Sequence, residues 1–333
     1  MKRILGCIIL IVFWACSQVA EKKDKPIAYQ IPSFFPEMDI PADNMPSEAR
    51  MELGKKLFYD VQLSRDYSHH CGSCHALSAA FTDGQRVSVI HENSIKRNAP
   101  TLVNLAWSPY LMAEGGVPNL ELQALAPIHE SHEFNLSMQE LILRLQENEE
   151  YELLSQRAYQ RSIDAFVITR ALACFQRSFI SGDSKFDKVY YLKQGNFNAS
   201  EQRGFDLFFS DQTQCSSCHA PPFFTSYEFA SLGLTDGDEG LKRKTYREED
   251  AGKFKTPTLR NIEITGPYMH NGSFGSLEEV IEFYNAGGGP GRNKSNKINP
   301  LLLTEQEKQD LVAFLKTLTD WNFVQNAKLV RNE

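Results

Sequence analysis

Cys71-Gly-Ser-Cys74-His75 and Cys215-Ser-Ser-Cys218-His219 are the two stretches around which this 333-residue chain is organised. C-x-x-C-H is the attachment signature of c-type haem, in which two thiols add across the porphyrin vinyl groups and the adjacent imidazole binds the iron. A structural zinc site would require further Cys or His at ligand spacing, and none follows either motif. A redox Cys-x-x-Cys pair needs no following histidine, least of all twice. Two covalently bound haem c groups are therefore expected, with His75 and His219 as proximal iron ligands.

The rest of the composition is that of an ordinary globular protein, with 42% apolar and 23% charged residues and room for two domains. A net charge of −7 without a basic run argues against nucleic acid as a partner. Four of the seven cysteines belong to the motifs, Cys7 and Cys16 lie in the leader, and Cys174 sits in an apolar run, so no disulfide framework is expected. Residues 1–16 have a basic start and a short apolar run, which reads as a secretory signal too short to span a bilayer. Ala15-Cys16-Ser17 resembles a bacterial lipobox and predicts lipid on the Cys16 thiol, hence a periplasmic protein held to the membrane by its N-terminus alone. Ordinary signal cleavage and a soluble product is the alternative. Residues 17–36 are polar and Pro-containing and read as a tether.

Helix signals dominate the rest of the chain. Ser47 caps a helix through Leu53, Leu57 and Phe58; Ser137 with Glu140 forms a capping-box pattern; residues 162–181 read as another helix. Ser200 opens a helix through Gly204 and Phe208, and Thr304 with Glu307 caps one that carries Leu311, Phe314, Leu315 and Leu318. Gly287-Gly-Gly-Pro-Gly291 lacks the following Gly-Lys-Ser/Thr of a phosphate loop and reads as a flexible surface turn.

An internal repeat orders these elements. Gly54-Lys-Lys-Leu-Phe58 before the first motif matches Gly204-Phe-Asp-Leu-Phe208 before the second. Pro100-Thr-Leu-Val-Asn104 matches Pro257-Thr-Leu-Arg-Asn261 at an offset of 157, and residues 112–121 match 269–278 at the same offset. The expected fold is mainly α with long loops: two cytochrome c-like haem domains related by the repeat, 37–190 and 191–333. The last helix is expected to pack back on the first domain.

The repeat also exposes an asymmetry. Tyr284 offers a phenolate as sixth ligand of the second haem, and its counterpart at offset 157 is Pro127, which cannot bind iron. Met269 is a rival ligand, although Met112 occupies its place in the other half. A buried core tyrosine is the competing reading of Tyr284. The open haem would then be the one at His75. Near it, residues 123–133 carry Gln123, Glu130 and Glu133, and cleavage of a peroxide at a haem needs such a base to move its proton.

With these motifs in order, the chain resembles the bacterial di-haem cytochrome c peroxidases and their relative MauG over about 40 to 320. The resemblance rests on Arg97-Asn-Ala-Pro-Thr-Leu102, Leu120-Glu-Leu-Gln-Ala124, Phe254-Lys-Thr-Pro-Thr-Leu-Arg-Asn261 and Gly266-Pro-Tyr-Met-His-Asn-Gly272. It implies a peroxidatic haem at His75, an electron-transfer haem at His219, and Gln123, Pro127 and Glu133 on the peroxidatic side, Glu133 being the catalytic glutamate. It implies that His91 closes this haem in the resting state. Asn98, Thr265 and Pro267 would hold a calcium ion, the last two through carbonyl oxygens. Two departures stand out: at 284 this chain has tyrosine, as MauG does, where the peroxidases have methionine; and Ala113 stands where the family has a tryptophan between the haems.

Three functions are expected on these grounds. The first is reduction of hydrogen peroxide to water with electrons from a small periplasmic cytochrome c or cupredoxin. The second is MauG-like oxidation of a protein or small molecule by high-valent haem, and the third is a non-catalytic di-haem electron-transfer or sensor protein. A homodimer is compatible with all three.

Overall fold

The structure, a computed structural model, describes residues 24–90, 93–94 and 97–330. The signal segment with Cys16, the start of the tether, and His91 lie outside the described residues. The chain is mainly helical. In order come α1 (Glu48–Phe58), α2 (Cys71–Cys74), α3 (Leu120–Gln123), α4 (Leu125–His129), α5 (Met138–Gln146), α6 (Glu149–Tyr159), α7 (Ala165–Arg177) and α8 (Lys185–Tyr190). They are followed by α9 (Ala199–Phe208), α10 (Lys242–Thr245), α11 (Leu277–Asn285), α12 (Glu305–Lys316) and α13 (Trp321–Val324). Two antiparallel two-residue ladders complete it, β1 (Val89–Ile90) with β2 (Asn93–Ser94) and β3 (Phe229–Ala230) with β4 (Phe254–Lys255).

The helices begin where side chains accept otherwise orphaned backbone N–H groups. Ser47, Ser137 and Thr304 do so as their sequence signatures predict. Two boundaries differ. The helix expected over 162–181 is α7, which starts after Asp164, whose carboxylate accepts from the Val167 N–H. In α9 the cap is Asn198, boxed with Glu201, while Ser200 lies inside the first turn and its hydroxyl donates to Asp310.

Two helix crossings explain the matched glycines. A Cβ on Gly54 of α1 would lie 2.0 Å from the Ala171 carbonyl oxygen and 2.8 Å from Phe175 Cβ, both on α7. A Cβ on Gly204 of α9 would lie 1.9 Å from the Asp310 oxygen and 2.8 Å from Phe314 Cβ, both on α12. Backbones in such contact admit no side chain at the crossing. Each crossing anchors one apolar cluster: Leu53, Leu57, Phe58, Leu172 and Phe175 in the first, Phe208, Leu311, Phe314 and Leu315 in the second. Phe323, Val324 and Leu329, from the end of the chain, join the first cluster.

Buried polar groups pin the two halves together. Asn104 and Asn261, both in left-handed backbone with φ of 58° and 61°, converge on Ser181. Asn104 Nδ2 donates to the Ser181 carbonyl at 2.9 Å and Asn261 Nδ2 to its hydroxyl at 3.0 Å. The Asp320 carboxylate accepts from the N–H groups of Gly182 and Asp183, both at 2.9 Å. A fully buried pair, Arg260 on Asp187 at 2.8 and 2.9 Å, holds the loop after the second motif through Arg260 Nε on the Pro222 carbonyl.

Two expectations about loops are corrected. Residues 24–36, read as tether, are fastened: Ile27 N–H donates to the Pro46 carbonyl, the Tyr29 hydroxyl to the Cys174 carbonyl, and Phe35 packs on Trp107 and Phe223. The glycine loop is locked rather than free. Gly289 and Gly291 donate to the carbonyls of Leu232 and Gly233, and a Cβ on Gly289 would lie 2.2 Å from the Gly233 oxygen.

Candidate haem-binding cavity

Both C-x-x-C-H motifs open on one cavity of about 1160 Å³, lined by Cys71, Cys74, His75, Cys215, Cys218 and His219. The four thiols are free of disulfides. Burial pushes the Cys71 thiol up to about 12 and raises Cys74 and Cys215. In both motifs the histidine N–H closes a turn on the first cysteine's carbonyl, His75 on Cys71 at 3.0 Å and His219 on Cys215 at 2.9 Å.

The imidazoles are oriented by carbonyls. His75 Nδ1 lies 2.8 Å from the Phe81 oxygen and His219 Nδ1 3.1 Å from the Phe224 oxygen. A carbonyl can only accept, so Nδ1 carries the proton and Nε2 keeps its lone pair for iron. Burial lowers the pKa of both rings, against the opposing pull of these carbonyls and those of Pro100 and Pro257. Neutral, carbonyl-anchored imidazoles beside paired free thiols fit covalent haem at both motifs. The residues 81, 224, 100 and 257 act here through backbone atoms. The repeated Pro-Thr-Leu words marked two of these positions, but not their task.

The asymmetry between Tyr284 and Pro127 follows from a shared backbone. The bridges Leu111↔Val117 and Tyr268↔Phe274 and the caps Asn119 and Ser276 stand at the same offset, and Met112 and Met269 share φ values of 68° and 71°. Both methionines line the cavity from equivalent turns. After the cap the halves part. The α11 helix is continuous and presents Tyr284 to the cavity, where burial and the nearby thiols of Cys215 and Cys218 raise its phenol. Its hydroxyl makes no hydrogen bond among the described residues. In the first half Pro127 has no N–H to give to the Gln123 carbonyl, and the helix is broken at Ala124 into α3 and α4.

Gln123, Pro127, Glu130, His132 and Glu133 line the cavity on the His75 side. Burial, aided by the negative Glu130, raises the Glu133 carboxyl to about 7. Its charge is felt at Cys71 and Cys74, which places it beside the first motif. Among the described residues it has no salt-bridge partner. A carboxyl poised near neutrality and left free of partners suits proton transfer.

Asn98, Thr265 and Pro267 also border the cavity. Asn98 Nδ2 donates to the Gln85 carbonyl at 2.7 Å and its N–H to the His270 carbonyl at 2.8 Å, and its Oδ1 accepts no hydrogen bond among the described residues. Among the described residues no three His, Cys, Asp or Glu side chains gather as a metal site. Ala113 lies on the cavity wall, and its carbonyl accepts from the Lys255 N–H at 2.8 Å. Lys255 was not singled out by the sequence; its only signal is its place in the Phe254-Lys-Thr-Pro word. Trp107 packs at the junction against Phe223 at 5.0 Å, with its indole N–H on the Pro36 carbonyl.

The chain is similar to known proteins over most of its length. A family model described as di-haem cytochrome c peroxidase matches residues 48–195. The methylamine utilization protein MauG of Methylorubrum extorquens is 36% identical over 285 residues, covering 84% of this chain and 80% of its own. The cytochrome-c peroxidase IdrP1 of Denitromonas iodatirespirans is 34% identical over 324 residues, covering 86% and 85%. A solved MauG-like protein associated with microbial copper homeostasis superposes with a TM-score of 0.85 at 33% identity, covering 91% of this chain and 99% of that one.

Proposed function

Because the chain belongs to the di-haem cytochrome c peroxidase family, whose members carry two covalently bound haem c groups, we propose that it reduces hydrogen peroxide to water at the His75 side of the cavity. Two electrons and two protons convert one peroxide into two waters. The electrons would come singly from a small cytochrome c or cupredoxin by way of the His219 side. One observation carries this reading: the Glu133 carboxyl, without a partner among the described residues and raised to about 7, stands near the first motif, where Pro127 occupies the place of Tyr284.

When bound, the haem iron at His75 supplies the redox chemistry that breaks the O–O bond. His75 holds that iron through Nε2, with its ring fixed by the Phe81 carbonyl. Pro127 would offer no ligand atom to that iron. Glu133 takes the proton from one peroxide oxygen and returns it to the departing one, and the Gln123 amide orients the peroxide. Tyr284 would hold the His219 iron through its phenol oxygen and leave it less open to peroxide. Calcium at Asn98 Oδ1 and the carbonyls of Thr265 and Pro267 would brace the junction between the halves. Covalent haem and the leader together support export to the periplasm, with lipid at Cys16.

Haem-loaded protein mixed with peroxide and a reduced small cytochrome c tests the reading. Oxidation of two donor molecules per peroxide is expected; no donor oxidation and no peroxide loss would overturn it. MauG-like oxidation of a protein or small molecule is the second reading. It is favoured by Tyr284, since an anionic oxygen ligand stabilises oxidised iron. Peroxide-dependent modification of a co-purifying substrate, without donor turnover, would select it.

A further inference from the structure

Lys255 combines three features that its neighbours on the cavity wall do not share. It belongs to β4 in the second half, yet its N–H is fastened to the Ala113 carbonyl of the first half. Its Nζ also crosses the junction, donating to the Tyr110 carbonyl at 2.6 Å and the Ser108 hydroxyl at 3.1 Å. Both partners are neutral oxygens. An ammonium has three N–H donors, and the third has no partner among the described residues.

The other basic side chains of the cavity wall are provided for. Arg97 grips Asp238 through two bonds of 2.7 and 2.8 Å and also reaches Glu114. Lys297 lies 3.3 Å from Glu228, and Arg243 is exposed to water. Lys255 is half-buried and has no anionic partner among the described residues, and burial lowers its pKa to about 8. A partly desolvated cation without a counter-ion is unfavourable, and a neutral side chain could donate to the same oxygens with a smaller desolvation penalty. The cost is offset when the cavity is filled by a ligand that brings its own negative charge. Haem c brings two propionates, and the cavity faced by Lys255 is bounded by both haem motifs.

We propose that Lys255 is the counter-ion of a haem propionate at the junction of the two halves. It is a positioning residue. One ammonium, tied by its own N–H groups to Ser108 and Tyr110, would hold the haem edge in the second half's wall to the backbone of the first. It would also place a positive charge at the place between the motifs where Ala113 supplies only a methyl group. A cation close to the porphyrin disfavours loss of a further electron from iron, so Lys255 holds the potential of the neighbouring haem up.

The inference rests on the haem assignment above. Its test is potentiometric and needs no turnover: the midpoint potentials of both haems in the holo-protein are compared with those of Lys255→Gln, Lys255→Met and Lys255→Arg. The Gln and Met variants should shift one haem to more negative potential and alter the propionate bending modes in its resonance Raman spectrum. The Arg variant should restore both. Lys297→Gln, which removes an exposed cation at the rim, should shift the potential less. If Lys255→Met fails to take up haem, Lys255→Gln still decides, because its amide retains a donor for the Tyr110 carbonyl. Potentials and Raman modes of Lys255→Gln equal to those of the parent would overturn the proposal alone. A chain that carries no covalent haem at all would overturn the haem assignment with it.

Discussion

The His75 half and the His219 half are built on one plan and end with different chemistry. Each has a glycine at a helix crossing, a C-x-x-C-H turn with its imidazole on a carbonyl, and an asparagine in left-handed backbone at the junction. They part after equivalent helix caps, Asn119 and Ser276. In the second half an unbroken helix carries a tyrosine to the cavity. In the first, the helix is interrupted at Ala124, Pro127 stands within α4 at the matching place, and the loop that follows carries Glu133. On the proposed reading, a tyrosine on one side and a proline on the other would separate a closed iron site from an open one with a base. The shared turns and caps supply the frame, and the residue that follows at the same offset, Tyr284 or Pro127, makes the difference.

The comparison breaks most sharply at Glu133. Glu133→Gln keeps the shape and removes the base, and peroxide turnover should fall by about 100-fold or more while both haem spectra stay unchanged. Stopped-flow traces of donor oxidation would show it, and undiminished turnover would remove Glu133 from the mechanism. Tyr284→Phe should next erase the difference between the halves. Half of the iron should change from six- to five-coordinate, seen as a second high-spin signal in the EPR spectrum; an unaltered spectrum would assign Tyr284 to packing alone.

The shared frame gives a symmetric test. Gly54→Ala and Gly204→Ala each force a methyl group onto a carbonyl oxygen and should destabilise by about 1–3 kcal/mol or more, by overpacking. Thermal denaturation of the two variants should show comparable losses, and a loss confined to one would mean that the crossings are not equivalent. The smallest effect is in pH. The Glu133 carboxyl is raised by burial to about 7, so the proton-accepting form grows as pH rises through that value. Peroxide turnover should climb about tenfold from one to the other side of the neutral range and then level off. A rate already flat from pH 5 upward would mean an ordinary carboxylate.

Much of this was legible in the residues themselves. The two motifs are contiguous, so spacing alone identified the attachment of haem, and the offset of 157 aligned Tyr284 with Pro127 without any tertiary information. Capping signatures at Ser47, Ser137 and Thr304 are local too, and the helices start there. Local pattern misleads where distant chain is involved. The supposed tether from Asp24 onward is held by groups as remote as Cys174, and the glycine loop is locked by Leu232 and Gly233.

What the sequence determined by itself was therefore the chemistry written in short words: thiols, imidazoles, caps and the proline that cannot donate. What only the tertiary structure decided was which backbone atoms serve them. The carbonyls of Phe81 and Phe224 that orient the imidazoles carry no side-chain signature, since every residue has a carbonyl. The raised Glu133 carboxyl and the lowered Lys255 ammonium depend on how much water the fold removes and which charges it brings near. Those are properties of position in space, and one-dimensional order does not record them.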